Sequence, residues 1–590
     1  MSFCFWIMWA FCGNILRLLL KLPLVLWYNC DTRRRFFMDN AKLWAKAVQY
    51  EKNNKYTQAV DIYVKLANLG HVDSCIRLAY FYEQGIGVEK SYLKAFEYHK
   101  KAADLGNVEA HVKVGEYYEN GLGVGKLLPV AEFSYKKAAQ LGSTKALVKL
   151  GLFALNGTLT KPNAQMAFDY FTKAANVGDA QGQYQLSLLY ESGNGAPKDL
   201  AKSSYWLEKS ANNGCTKAMN KIARQLITNN PTPQQQKQAF ELYKKSAYAN
   251  DPEGQNGLGF CYAKGYGAIT SPISAFSWFQ KAAEAGLDKG MYNLAFAYIK
   301  GLGTTRDDAK AIYWYNKAAN LGHVGSQLEL GKIYYSGKVI APNYPKAVAW
   351  LQKAADFGNI AAISLLANAY ELGKGVKANF AKAVELHQKA ATLGYPYSQF
   401  WLGICYAKGK FFDKDLSKAI YWYQKAADGG SAQAQNNLAV CYYWGYDGIK
   451  KDIPKAIQLW QKSAEAGCAD AQSYLGDRYF FAEGVFADQT KAVYWWEKAS
   501  ANGPASAAYN AGCSYDRGRG VAVDHAKAAK YWQIAANKGY AKAYYNLACY
   551  YESGTYFPQD LHKALEYFIE AEKRGHKAAT QCIADIKKLL

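Results

Sequence analysis

The side chains best equipped for chemistry are dispersed along the chain. Eight His stand at positions 71, 99, 111, 323, 387, 525, 562 and 576. A metal or general-base site would bring two or three of them together at ligand spacing, as HExxH or CxxC strings do, and neither string occurs. His71 and His323 each follow a Gly at the same point of a recurring pattern, so the His are expected at the surface or rim. The segment from Asn120 to Leu127, NGLGVGKL, hints at a phosphate loop. Such a loop needs Gly five residues before its Gly–Lys pair and Ser or Thr after the Lys; Asn120 and Leu127 fail both requirements. No catalytic, cofactor-binding or metal-ligating residue emerges, and a non-enzymatic protein is expected.

Twelve Cys in 590 residues is not a disulfide scaffold. Cys261, Cys405 and Cys441 share one helical position in the pattern described below. Helices of neighbouring repeats lie about 8–10 Å apart, which is too far for a disulfide between Cys405 and Cys441. Reduced, buried thiols and a reducing compartment are therefore expected.

Half of the residues are hydrophobic, with 48 Tyr, 26 Phe and 15 Trp. That composition excludes a disordered or collagen-like chain and permits a large buried core. The formal net charge is +23, which favours an anionic partner only if the charge is clustered. It is not clustered. Lys recurs at 101, 137, 173, 209, 245, 281, 317, 353, 389, 425, 462 and 498, spread evenly along the chain, and such Lys are expected to lay their stems along apolar surface. Nucleic acid is not an expected partner.

The elements that carry these residues repeat. A small-residue motif closes on Gly at 70, 106, 142, 178 and 214, on Asn250, then on Gly at 286, 322, 358, 394, 430, 467, 503, 539 and 575. Thirteen of the fourteen intervals are 36 residues; the exception, 37, contains the GYDG stretch from Gly445 to Gly448. A fixed period over more than 500 residues means an array rather than several globular domains. Within the repeat ending at Gly467, Ala434, Leu438, Ala439, Tyr442 and Gly445 fall on one helical face. After a Gly-rich turn and Pro454, a second apolar face carries Ala456, Ile457, Leu459, Trp460, Ser463 and Ala464. The closing Gly suits a helix C-terminus that needs φ > 0, and Asn250 is the next best residue there.

Positions 79, 115, 151, 187, 223, 259, 295, 331, 367, 403, 439, 476, 512 and 548 are all Ala, Gly or Ser. A second small position runs from Ala95 to Ala564, with Ser203 its one departure from Ala. Small residues on both helices predict close helix approach. Tyr follows the first small position by three residues in twelve of fourteen repeats, Tyr82 to Tyr551, where a ring can fill the space between stacked pairs.

This pattern, with the GxGV turns at Gly85–Gly87–Val88, Gly121–Gly123–Val124 and Gly373–Gly375–Val376, resembles the Sel-1-like repeat, a relative of the tetratricopeptide repeat. The resemblance covers residues 40–590 and lapses near Ile227–Gln236, where NNPTPQQQ replaces the Gly turn. It implies an all-α fold: a right-handed α-solenoid superhelix of about fifteen 36-residue helix-turn-helix repeats over residues 38–590. It also implies a scaffold or adaptor holding a protein or peptide partner on its concave surface. A cysteine-rich branch of the family, described as penicillin-binding, pairs Cys within each repeat; this sequence lacks that pairing, so a β-lactamase-like enzyme is the weaker alternative.

Residues 1–37 fall outside the pattern. An apolar run from Phe3 to Gly13 precedes Arg17, Lys21, Pro23 and the triplet Arg33–Arg35. A secretory signal places its positive charge first, and a transmembrane helix is not broken by two cations. Three alternatives stand: membrane association, a non-native extension ahead of a start at Met38, and a helical cap. The first would make the protein a regulator of a membrane or cell-envelope complex anchored by these residues.

The opposite face of the first helix predicts where a partner sits. Around Leu438 it holds Gln433, Asn437, Val440 and Trp444. Equivalent positions early in the chain carry Arg77, Lys113, Lys149, Lys221 and Arg224; later they carry Trp401, Ile404, Val440, Trp444, Tyr474 and Phe481. A surface basic near its start and aromatic around residues 400–481 would suit a peptide with acidic and apolar portions.

Overall fold

A computed structural model describes the backbone of residues 24–446 and 449–590, with side chains from Met38 onward. Among the described residues there are 31 helices and no strand. The described residues divide into two compact halves, which meet in sequence between Gly290 and Met291. Within each half, consecutive antiparallel helices pack as tandem pairs, which is the all-α solenoid expected. Helix Leu24–Lys52 runs without a break across the expected boundary at 37/38. Residues 1–23 and 447–448, with much of the N-terminal segment and part of the GYDG stretch, lie outside the described residues.

Most helices span 13 residues because the same signals bracket each one. Ser143 and Asp251 open first helices by accepting from the backbone N–H of Ala146 and Gly254, at 3.2 and 3.0 Å. Asp199 and Asp415 do the same for second helices. His71 and His323 are such caps too, each accepting through Nδ1 from the Ser three residues on. At the far end of a second helix, Gly106 (φ 89°) donates to Ala103 and Asn107 donates to Ala102. This closes the helix with the two reverse bonds of a Schellman turn. Asn250 holds φ 60° in the same place.

Gly503 departs from this expectation: its φ is not positive, and its N–H donates to Ala499. The next residue is Pro504, which has no N–H for the second reverse bond, so the left-handed closure has nothing to complete it. The lapse near Ile227 also has a structural form. The first helix shortens to Thr216–Leu226, Asn229 and Asn230 turn left-handed, and a Thr232–Gln235 capping box starts a longer helix, Pro233–Tyr248.

The small residues make room for rings more than for backbone. A Cβ on Gly115, Gly151, Gly403 or Gly476 would lie 2.4–2.5 Å from a ring atom of Tyr135, Phe171, Tyr423 or Trp496. Those rings share one position on the second helices, and Tyr63, Tyr315, Trp460 and Phe568 occupy it in other repeats. Each buried aromatic there contributes roughly 1.5–3 kcal/mol, so the ring-in-slot contact is the repeating unit of stability.

The Tyr three residues beyond the slot packs edge-on against the neighbouring second helix, as Tyr118 does on Phe96 at 5.1 Å and Tyr190 on Phe168 at 5.5 Å. Its exposed side carries a Lys from the second helix, for example Lys455 over Tyr442 at 4.1 Å and Lys563 over Tyr551 at 4.8 Å.

Candidate functional site

The first helices present the predicted face, and the two halves of the chain use it differently. In the N-terminal half every predicted cation has a carboxylate. Arg77 reaches Glu51 at 3.4 Å, Lys113 reaches Glu116 at 3.0 Å, Lys149 reaches Glu119 at 2.9 Å and Arg224 reaches Glu253 at 3.0 Å. Lys221 pairs with Glu191. Four of these five partners sit on a neighbouring helix, two of them thirty residues earlier in the chain. The strip therefore alternates in charge, and pairs this exposed contribute at most about 1 kcal/mol each.

In the C-terminal half the six predicted residues separate into two groups. Trp401 is half-buried: it stacks on His387 at 4.1 Å and on Phe411 at 5.7 Å, and its Nε1 donates to Glu371 at 2.9 Å. Ile404 and Val440 are half-buried against the core clusters around Leu438 and Trp460. Trp444 and Phe481 are 63% and 62% exposed, and Tyr474 lies at the edge of exposure.

Residues absent from the predicted set hold these rings in place. Tyr443 meets Trp444 edge-on at 5.0 Å and donates to Glu483 at 2.8 Å. The Arg478 guanidinium lies 4.6 Å over the Tyr443 ring and pairs with Glu483 at 2.8 Å. Tyr474 stacks on buried Trp460 at 5.1 Å. Phe481 meets Phe480 edge-on at 5.0 Å, and Phe480 packs on Trp496 at 5.3 Å. Behind them Asp477 accepts from Trp496 Nε1 at 3.0 Å and from Asn510 at 3.4 Å, and burial pushes its carboxyl above the usual range. The doubled aromatics Tyr443–Trp444 and Phe480–Phe481 at the ends of successive first helices were the available sequence signal.

Backbone strain marks the same region. Six non-Gly residues among those described have positive φ; four are Asn, which tolerates it, and the others are Phe411 and Ala482. Phe411 touches Trp401, and Ala482 follows Phe481.

The His correct one expectation. His99 and His387 are buried rather than on the rim, because each occupies the ring slot of its second helix. His99 shares a 3.1 Å hydrogen bond with Glu83, and burial pushes His387 down to about 4. The nine described Cys are free thiols, and burial pushes Cys261 and Cys405 up to about 12. Among the described residues no group of three or more His, Cys, Asp or Glu is placed to hold a metal ion. No helix there is long and apolar enough to cross a membrane.

The Sel1 repeat model matches fourteen successive segments, from 72–107 to 541–576. The chain is similar to the solved structure of c5321, a protective antigen present in uropathogenic Escherichia coli strains displaying an SLR fold. The two are 31% identical over 78% of this chain and 91% of that one, with a TM-score of 0.51. A Sel1 repeat protein from Oxalobacter formigenes is 29% identical over 54% of this chain and 91% of its own, with a TM-score of 0.40. No curated protein matches the chain.

Proposed function

The chain belongs to the Sel1 repeat family, whose members are generally protein-interaction scaffolds, and from that premise we propose that it holds a protein partner on its first-helix face. The docking surface is the aromatic stretch of the C-terminal half. The observation that carries this is the exposure of Trp444 and Phe481 at the last position of successive first helices, each braced by a second ring. Large apolar side chains held rigid in water lose little entropy on binding, and Trp is enriched among residues that dominate interface energy. The strained turn residues Phe411 and Ala482 add support, since such conformations gather at binding sites. The paired cations of the N-terminal half offer a polar face suited to orienting a partner rather than anchoring it.

The reading is tested by placing a photo-crosslinking phenylalanine analogue at Trp444 or Phe481 in cells, with Tyr205 and Ile273 on second helices as exposed controls. A discrete crosslinked protein at 444 and 481 and none at the controls is the expected result. Equal crosslinking at all four positions would remove the site.

A further inference from the structure

A small cleft opens between the first helices Ala469–Phe481 and Ala505–Arg517, beside the exposed Phe481. Its volume is about 180 Å³, and Phe480, Phe481, Trp496, Tyr509, Arg517 and Arg519 line it. Sites for whole small molecules run to about 300–1,000 Å³, so this one has room for a single side chain. The walls are preformed. Phe480 locks Phe481 and Trp496, Trp496 is tied to Asp477, and Tyr509 packs on Tyr540 at 5.1 Å.

The mouth is cationic in a way the N-terminal strip is not. Arg517 comes only within 4.0 Å of Asp516, and that carboxylate already accepts from Tyr550 at 2.6 Å. Arg519 is exposed and has no ion pair among the described residues. Arg478 and Lys538, the nearby cations, are occupied by Glu483 and by the carbonyls of Ser500 and Gly503. Two guanidinium groups thus stand over a ring-lined slot with their donors free for a planar anion.

Resting on the scaffold reading above, we propose that this cleft recognises an extended acidic peptide segment of the partner. One bulky apolar side chain enters between Phe481 and Tyr509, and a neighbouring Asp or Glu carboxylate is bound by Arg519 and Arg517. An acidic segment is called for by Arg519, which has no ion pair among the described residues, and by Arg517, whose one carboxylate lies 4.0 Å away and is shared with Tyr550; one anchor residue is what the cleft volume admits.

The test is fluorescence anisotropy on the full chain with labelled nonapeptide pools of Asp and Glu around a central Phe, Leu or Trp. Matched pools carry Asn and Gln in place of the acids, or Ala in place of the central residue. The acidic pool with an apolar centre is expected to bind at least about tenfold more tightly than either matched pool. Arg519→Ala with Arg517→Ala should weaken it about tenfold and flatten its salt dependence, as should Phe481→Ala for affinity alone. Lys136→Ala, on the exposed side of a second helix, should change nothing, and all variants should melt with the parent, since the mutated groups are exposed. Equal binding of the neutral pool, or undiminished binding by the double Arg variant, would overturn the proposal. So would a dimer that Phe481→Ala dissociates, which would make a second copy of the chain the occupant. Crosslinking from position 444 to a partner, together with failure of every peptide pool, would sink this inference and leave the scaffold reading standing.

Discussion

Trp401 lies face to face with buried His387, 4.1 Å between ring centroids, and is fixed from its other end by a 2.9 Å hydrogen bond to Glu371. A residue held by two neighbouring elements is part of the packing even when one edge meets water. Trp401→Ala removes the stack and leaves the Glu371 carboxylate without its indole donor. It should cost about 2–3 kcal/mol in urea unfolding. Trp444→Ala should stay within about 0.5 kcal/mol of the parent. An unchanged midpoint for Trp401→Ala would mean that its ring is free.

His387 also gives the fold a pH dependence. Burial holds its folded-state value down at about 4, with Glu371 pulling the other way, whereas an unfolded His titrates near 6.5. The neutral form is favoured by folding, so the stability it contributes is intact above pH 6.5. As pH falls from 6.5 towards 4 the unfolded chain takes up the proton first, and stability should fall at up to about 1.4 kcal/mol per pH unit. Chemical unfolding of the parent and His387→Gln across that window should show the smaller slope in the variant. Parallel slopes would mean His387 is not the titrating group.

Gly476→Ala sets helix propensity against packing. Ala should gain about 1 kcal/mol over Gly inside a helix. Its Cβ would meet the Trp496 ring at 2.4 Å, and that indole is buried and tied to Asp477, so it cannot swing away. Overpacking of this kind costs about 1–3 kcal/mol, and the net should be destabilising by calorimetry. A stabilised variant would mean that the slot has slack.

The Gly spacing, the Tyr series and the small positions were enough to place both helices of each repeat, because each of those signals lies within one helix or its own cap. What one helix cannot report is the side chain that its neighbour sets upon it. Trp401 stands on the outward face of its own helix, yet His387 and Phe411 cover it. Lys149 and Lys221 looked like free charge because their carboxylates are thirty residues away. His99 and His387 were missed as core because they stand where other repeats carry Tyr or Trp, and a ring slot accepts an imidazole. Gly503 lost its left-handed turn to the Pro that follows it.

Ala482 holds φ 57° where most repeats have Gly, immediately after Phe481. A left-handed conformation costs a residue with a Cβ about 1–2 kcal/mol, partly offset by the backbone entropy Gly would lose. Ala482→Gly should therefore stabilise the chain by about 0.5–1 kcal/mol. A loss of stability would show that the Ala482 methyl packs where the turn needs it.

If the aromatic first-helix face of the C-terminal half is a docking surface, its exposed rings hold a partner and not the fold. Affinity purification from native cells, with quantitative mass spectrometry, can compare the parent with Trp444→Ala combined with Phe481→Ala. A specific protein should be retained by the parent and lost from the double variant, while the two melt together by circular dichroism. The same protein held equally by both chains, or a double variant that unfolds early, would contradict it.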